Sequence, residues 1–343
     1  MEKIRTILKL RFTLYRELFL NFSALILFIL IMNGCKKDSN NDNYSEYTIY
    51  SVGNLHGIGA CYWEGSSRTD LGGVATSIFV SNSNIYLAGM NKTSCYWKNT
   101  MEVDLDGTPQ VPTSIFVSNG NVYTAGQSCY WVNSERRELG DSVSGISISS
   151  IFVVDTTVYV AGSYGDFGIY RIPCYWVGKT RVDLPAGNSA FGGVSSIYVS
   201  NGIVYTCGYY GEAPNNNSCY WTGVVKTDLP GGSNASYITM DGGIIYAAGT
   251  DVKADLCYWK GTSKINITLE RYATYGIDVA SFCVKGGTFF TSGTYYKPDP
   301  NDMGNGFNFP CYWIGNTKVD LPIPINNYSY SNQSFSIFVE QKK

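Results

Sequence analysis

Residues able to perform acid–base, nucleophilic or metal chemistry are few and scattered in this chain of 343 residues. The single histidine, His56, would have to serve any Ser-His-Asp arrangement, and no Gly-x-Ser-x-Gly turn lies near it to present a nucleophile. The run Asp299-Pro300-Asn301-Asp302-Met303-Gly304 carries the Asp, Asn and Gly of a calcium loop at positions 1, 3 and 6. Met303 and Pro310 stand at positions 5 and 12, where further ligands are needed. Carboxylates of the longer loops, such as Asp166 with Glu212, would suit glycoside hydrolysis only at a separation of about 5–9.5 Å. The reading from these residues is no catalytic group, no metal and no cofactor.

The elements that would position any such group come next, beginning with the export segment. Lys3, Arg5, Lys9, Arg11 and Arg16 precede an apolar run from Leu18 to Met32 that suits a signal-peptide core and is short for a membrane span. The run ends in Met32-Asn33-Gly34-Cys35, which resembles the bacterial lipobox, with Met32 in place of the usual Leu. That resemblance implies a signal peptide over residues 1–34 and lipidation of Cys35 as the first mature residue. Residues 35–46 then form a polar tether, since Lys36-Lys37-Asp38-Ser39-Asn40-Asn41-Asp42-Asn43 holds nothing apolar to bury. This stretch resembles the Lys/Asp signal of Bacteroidetes surface lipoproteins. Lys36 at the second position implies the outer membrane, with surface exposure as the further step.

The rest of the chain repeats one unit. Cys-Tyr-Trp begins at Cys61, Cys95, Cys129, Cys174, Cys219, Cys257 and Cys311, at intervals of 34 to 54 residues. Each triplet is followed by an acidic-Leu segment, as at Asp70-Leu71, with Thr268-Leu269 expected as the sixth copy. A segment like Ser77-Ile78-Phe79-Val80 recurs from Ser114, Ser150, Ser196, Ser236, Ser281 and Ser336. One like Ile85-Tyr86-Leu87-Ala88-Gly89 recurs from Ile49, Val122, Val158, Val204, Ile245 and Phe289. All are β-branched and aromatic, bounded by Gly, Asn, Ser or Pro, and read as strands. Strands a (Ser-Ile-Phe-Val), b (Ile-Tyr-x-Ala-Gly), c (Cys-Tyr-Trp) and d (acidic-Leu) predict an all-β, seven-bladed β-propeller over residues 47–340. Seven complete sets exist only if the N-terminal strands b to d pair with a C-terminal strand a at Ser336–Val339. The layout resembles the Kelch-type propeller, with one Gly rather than Gly-Gly ending strand b. It also resembles the Tyr-Trp-repeat propeller lipoproteins of the Bacteroidetes, a resemblance that implies a fold and names no activity.

Residues present in every blade are explained by the blade. The seven c-strand Trp are expected between neighbouring blades, and the d-strand acid is expected to meet a backbone group or the next blade's turn. Seven Cys at equivalent positions lie too far apart for the Cα separation of about 4.4–6.8 Å that a disulfide needs, so they read as core. Cys283 stands where the first repeat has Phe79 and reads as core filler. Cys207 and Cys219 occupy one hairpin, which leaves a bond between them open. Function must lie in what differs, namely loops. Tight a–b and c–d turns fall on one face, whereas the b–c and d–a segments at Ser163–Pro173, Tyr209–Ser218, Glu270–Ala280, Thr294–Pro310 and Pro322–Phe335 fall on the other. They hold the candidate ligand-binding residues Tyr164, Asp166, Tyr170, Arg171, Tyr209, Tyr210, Glu212, Tyr295, Tyr296, Asp299, Asp302 and Phe307, with Tyr328 and Tyr330. Aromatic rings with Asn, Asp and Arg suit a sugar, and the same residues suit packing of the loops on one another. A formal net charge of -2 with 15% charged residues argues against nucleic acid. The expectation is a monomeric, non-catalytic surface lipoprotein that is anchored to the outer membrane and binds a glycan or a protein. A glycoside-active enzyme on the same face, or a scaffold in an outer-membrane complex, is the alternative.

Overall fold

The computed structural model describes residues 46–140, 143–166, 170–187, 189, 191–211, 216–267, 277–299, 302–324 and 332–342. Cys35, the export segment, the tether and Thr268-Leu269 lie outside these residues. Blade 1 begins with β1 (Tyr47–Leu55), β2 (Gly59–Glu64) and β3 (Ser67–Asp70). Blade 2 is β4 (Val74–Ser81), β5 (Asn84–Asn91), β6 (Thr93–Lys98) and β7 (Met101–Asp104). Blade 3 is β8 (Ser114–Ser118), β9 (Asn121–Ala125), β10 (Cys129–Val132) and β11 (Glu135–Glu138). Blade 4 is β12 (Ser147–Val154), β13 (Thr157–Tyr164), β14 (Ile172–Val177) and β15 (Thr180–Asp183). Blade 5 is β16 (Gly192–Ser200), β17 (Ile203–Tyr210), β18 (Asn217–Thr222) and β19 (Val225–Asp228). Blade 6 is β20 (Gly232–Asp241), β21 (Ile244–Asp251), β22 (Leu256–Lys260) and β23 (Ser263–Asn266). Blade 7 is β24 (Ile277–Lys285), β25 (Thr288–Asp299), β26 (Asp302–Ile314) and β27 (Thr317–Asp320). The last strand, β28 (Gln333–Gln341), completes blade 1 in the order β28-β1-β2-β3. The fold is thus a ring of seven four-stranded antiparallel blades, closed by pairing of β1 with β28 from Tyr47↔Gln341 to Asn54↔Gln333. Closure extends past Val339, because Glu340 and Gln341 pair with Thr48 and Tyr47 rather than forming a free polar tail.

Turn chemistry sets the hairpins. The a–b turns at Asn82-Ser83, Asn119-Gly120, Asn201-Gly202, Gly242-Gly243 and Gly286-Gly287 have positive φ at both central residues, the twist that fits a two-residue hairpin. Each c–d turn places one Gly or Asn at positive φ, from Gly65 to Gly315, and its N–H donates to the first residues of strand b, as Gly65 does to Ile49 O.

Alternation along the strands builds the core between blades, not within them. In blade 2, Leu87, Cys95 and Trp97 face Val52 and Tyr62 of blade 1, while Tyr86, Ala88 and Tyr96 face Ile115, Cys129 and Trp131 of blade 3. The seven Trp are at most 1% exposed, which places them between neighbouring blades as expected. Each buries about 150–250 Å². Among the described residues, four of their indole N–H groups also latch the blades: Trp63 donates to Pro322 O at 2.9 Å, Trp131 to Asp106 O at 2.8 Å, Trp221 to Pro185 O at 2.9 Å and Trp259 to Pro230 O at 3.2 Å. Each acceptor directly follows the buried Leu that comes just after strand d of the preceding blade.

Three frame assignments change. The sixth d segment is Asn266-Ile267 and not Thr268-Leu269, because Cys257 pairs with Asn266 as Cys61 pairs with Asp70. Five of the six d-strand acids pair with the cation two residues earlier, in Arg68–Asp70, Arg136–Glu138, Arg181–Asp183, Lys226–Asp228 and Lys318–Asp320, while Asp104, which follows Glu102, accepts from Thr93 Oγ1 at 2.6 Å. In blade 6, where Asn266 replaces the acid, Lys264 turns to Asp251 at 2.8 Å. That ammonium, with the backbone N–H groups of Lys253 and Asp255, holds the Asp251 carboxyl down at about 2. Finally, Thr294–Pro310 is not a loop: β25 and β26 run on as a long hairpin with Tyr295 opposite Phe309 and Lys297 opposite Phe307.

Cys207 and Cys219 are both free. Cys207 lies opposite Tyr220, and Cys219 lies opposite Gly208. Side chains one register step apart point to opposite faces of the sheet. Cys207 therefore joins the core shared with blade 6, and Cys219 the core shared with blade 4. Burial pushes the thiols of Cys95, Cys257 and Cys283 up to about 12 and those of Cys61 and Cys219 higher. Since the thiolate is the reactive form, iodoacetamide at pH 8 should leave all nine cysteines from Cys61 to Cys311 unmodified in the native protein. In denaturant without reductant, all nine should react. Two or more protected thiols under those conditions would contradict the free state of these cysteines.

Candidate functional site at the propeller axis

Strand a is innermost in each blade, and in six of the seven its described pairing carries the same irregularity. The pairing of a with b skips one residue: Thr76 in blade 2, Ser149 in blade 4, Ser195 in blade 5, Ser236 in blade 6, Ala280 in blade 7 and Phe335 in blade 1. A bulge of this kind sets two successive residues against one partner residue, so the usual alternation breaks and both line the axis. It also explains the Gly that ends strand b. A Cβ at Gly89 would strike Val74 O, and the same collision recurs at Gly162, Gly208 and Gly249.

The axis is consequently a cavity of about 470 Å³ walled by two tiers of short polar side chains. The bulge tier is Thr76, Thr113, Ser149, Ser195 and Ser236, completed by Ala280 and Phe335. The second tier is Ser77, Ser114, Ser150, Ser196, Ser281 and Ser336, with Tyr237 in blade 6. Pairing of Tyr237 with Ala248 puts Tyr237, not Ser236, at the place of Ser77. Two hydroxyls of each tier are bonded in opposite senses. Thr76 Oγ1 donates to Pro112 O at 2.6 Å, and Ser149 Oγ bonds Val194 O, each a carbonyl of the next blade. These hydroxyls turn acceptor lone pairs to the cavity. Ser114 Oγ and Ser150 Oγ instead accept from the Ile151 and Ile197 amides of the next blade, each at 3.3 Å. Their O–H groups remain to donate into the cavity.

Two side chains from the long-connection face break the ring symmetry. Arg171, just before β14, lines the cavity with Nε donating to Ser163 Oγ at 2.6 Å. Tyr209 lines it from β17, its ring lying over Gly193 so closely that a Cβ there would come within 2.9 Å of the ring.

The remaining candidates are placed elsewhere. Tyr164, Tyr210 and Tyr295 form one repeated edge motif, each two residues after the glycine of strand b. Each ring carries the d-strand cation of its blade: Arg181 at 4.1 Å, Lys226 at 3.5 Å and Lys318 at 3.5 Å from the ring centre. Tyr164 and Tyr295 also donate to Asp183 and Asp320. Burial is the main cause that raises the phenols of Tyr164 and Tyr295. Tyr296 and Phe307 are half-buried on the long hairpin, and Asp299 pairs with Asp302 in register at its tip, where their side chains are not described. Asp166 is exposed and accepts from Ser144 Oγ at 3.3 Å. The half-buried Tyr170 donates its N–H to Asp166 O. Glu212, Tyr328 and Tyr330 lie outside the described residues. His56 sits in the b–c turn of blade 1 with its backbone N–H on Asn332 Oδ1 at 2.9 Å. Among the described residues, no three His, Cys, Asp or Glu side chains gather as metal ligands would.

The hydroxyl tiers were not singled out from sequence. Their signal was present in the pairs Thr76-Ser77, Thr113-Ser114, Ser149-Ser150 and Ser195-Ser196, whose first member stands where a regular strand would turn it away from the axis.

No family profile matches the chain, and no curated protein matches it. Among solved structures it is similar to the computationally designed Ika8 protein, with a TM-score of 0.47 and 13% identity over 85% of this chain and 90% of that one. It is also similar to the extracellular domain of a protein described as a one-component system from B. thetaiotaomicron. That match has a TM-score of 0.38 and 8% identity over 83% of this chain and 47% of the other. The blade count stands on the strand register given above.

Proposed function

We propose that the protein is an exported, lipid-anchored binding protein that takes a hydroxyl-rich ligand, a glycan, into the axial cavity from its long-connection face. The observation that carries this reading is the two tiers of hydroxyls around the axis, among which Thr76 and Ser149 keep acceptor lone pairs and Ser114 and Ser150 keep donor protons, flanked by the Arg171 guanidinium and the Tyr209 ring. A sugar presents hydroxyls that both donate and accept, together with an apolar face that stacks on an aromatic ring. The volume of about 470 Å³ falls in the range of roughly 300–1,000 Å³ usual for small-ligand sites. The other parts of the reading, Cys35 lipidation and an outer-membrane location, rest on the sequence resemblances.

A glycan array probed with the protein tests it. Binding should be found, and Tyr209→Ala and Arg171→Gln should each weaken it at least about tenfold, the equivalent of ~1.4 kcal/mol. Tyr170→Ala, outside the cavity wall, should change it little. An array without a ligand, or a ligand indifferent to both cavity variants, would overturn the reading.

A further inference from the structure

Strand β1 occupies the b position of blade 1 and runs from the a–b turns toward the b–c connections, so Tyr47 lies at the short-turn face. Its ring packs edge-on against Phe290 at 5.2 Å, and its hydroxyl sits beside Gly286 in the a–b turn of blade 7. The propeller therefore begins, at Tyr47, on the face opposite the long connections.

That face is also the more apolar at its tips. Of the large apolar side chains exposed among the described residues, Met101, Val154, Ile203, Val224, Val225 and Ile244 sit in or beside a–b and c–d turns. Only Val74 and Val252 sit on the opposite side, with Ile265 on an outer strand. Val224 and Val225 are 53% and 66% exposed in a single c–d turn, where polar residues are usual. Ile203 shares their blade, and Val154 and Ile244 occupy corresponding turns of the blades on either side.

We infer that the short-turn face rests on the bilayer that holds the anchor, its apolar tips entering the headgroup boundary, so that the axial cavity opens away from the membrane. This rests on the lipid-anchor reading of Cys35. The distances favour it. Cys35 to Tyr47 spans twelve Cα steps, a relaxed length of about 20 Å and an extended limit of about 40 Å. To turn the other face to the membrane, the chain must pass two strands outward, about 10 Å, and then descend a strand length of about 30 Å. That uses the whole extended limit, whereas standing on the short turns uses only the relaxed length. Shallow burial of about 5–10 Å is what an interfacial apolar surface achieves.

The test uses the full chain, made in a bacterial host so that the anchor is attached, in vesicles of phosphatidylethanolamine and phosphatidylglycerol. An azide-bearing residue at position 225, or separately at 252, carries the fluorophore, and lipids with a nitroxide near the headgroup quench it. Loss of fluorescence at 225 and none at 252 is the expected result. Adding Ile203→Ser and Ile244→Ser should reduce the loss at 225 while the protein stays on the vesicles. Equal loss at both labels, the reverse order, or indifference to the serine variants overturns the inference. So does a soluble dimer of the Cys35→Ser chain that Val225→Ser dissociates, which would assign the face to self-association. If Cys35→Ser stays on vesicles like the wild type, the lipid-anchor reading fails on its own and the label pair still reports orientation. If the wild type never associates with vesicles, both fail.

Discussion

Deletion of residues 333–343 should leave a chain that aggregates rather than one that melts a little earlier. The deletion removes all of β28, the innermost strand of blade 1. Ile337 and Val339 are buried, and Phe338 packs between Tyr50 and Phe79 at 6.5 and 5.1 Å. Each such side chain contributes roughly 1.5–3 kcal/mol by burial. Buried Ser51 would lose its 2.7 Å bond to Ser334, and the freed edge of β1 would expose a row of backbone donors and acceptors. Against a total stability of about 5–15 kcal/mol, the sum is decisive. Deleting Glu340–Lys343 alone is a graded control. It removes the pairs Glu340↔Thr48 and Gln341↔Tyr47, at about 0.5–1.5 kcal/mol per hydrogen bond, and should lower the melting temperature modestly. Urea melts followed by circular dichroism, with light scattering, separate the two. A long deletion that unfolds like the wild type would remove both the closure and the count of seven.

Trp131→Ala should be the most damaging single substitution among the blade interfaces, costing about 3–5 kcal/mol. The indole is fully buried between blades 2 and 3 and donates to Asp106 O at 2.8 Å. Trp131→Phe separates the two contributions, since it keeps most of the apolar area and leaves the carbonyl without its donor. A loss of about 1–3 kcal/mol is expected there. Urea midpoints should fall in the order wild type, Phe, Ala. A Phe variant as stable as wild type would show that the indole bond adds nothing to the latch.

How far the sequence could be read depends on which interactions repeat. The Trp, Cys and Gly positions each answer to a contact made in nearly every blade, so their spacing alone carried the blade count, the closure and the separation of short turns from long connections. What escaped was anything that shifts the frame by one residue. By residue type Ser236 matches Ser77, yet the bulge makes it the counterpart of Thr76. Matching letters cannot show which of two adjacent serines is bulged; the pairing of Ile238 with Ala247 does. The same limit hid the hydroxyl tiers, which exist only because the bulge turns two successive residues inward. Tyr164, Tyr210 and Tyr295 read as loop aromatics in the sequence because their cation partners lie on strand d, out of sight of local pattern. Arg171 and Tyr209, which have no counterpart in other blades, were legible as differences and do reach the axis.

The pairing of Tyr47 with Gln341 has a topological meaning. In every other blade the two residues at that place are the a–b turn itself, as Asn82-Ser83 joins Ser81 to Asn84, the counterparts of Glu340 and Thr48. The chain is therefore a circular arrangement of seven hairpin units, opened at one turn. Joining Glu340 to Thr48 through an Asn-Gly pair in place of Gln341 and Tyr47, and reopening the ring at Asn119-Gly120, would give a circular permutant with the same blade pairings. Blade 3 would then hold the two chain ends together as blade 1 does now, and the order of blades along the gene would be a matter of where the circle was cut.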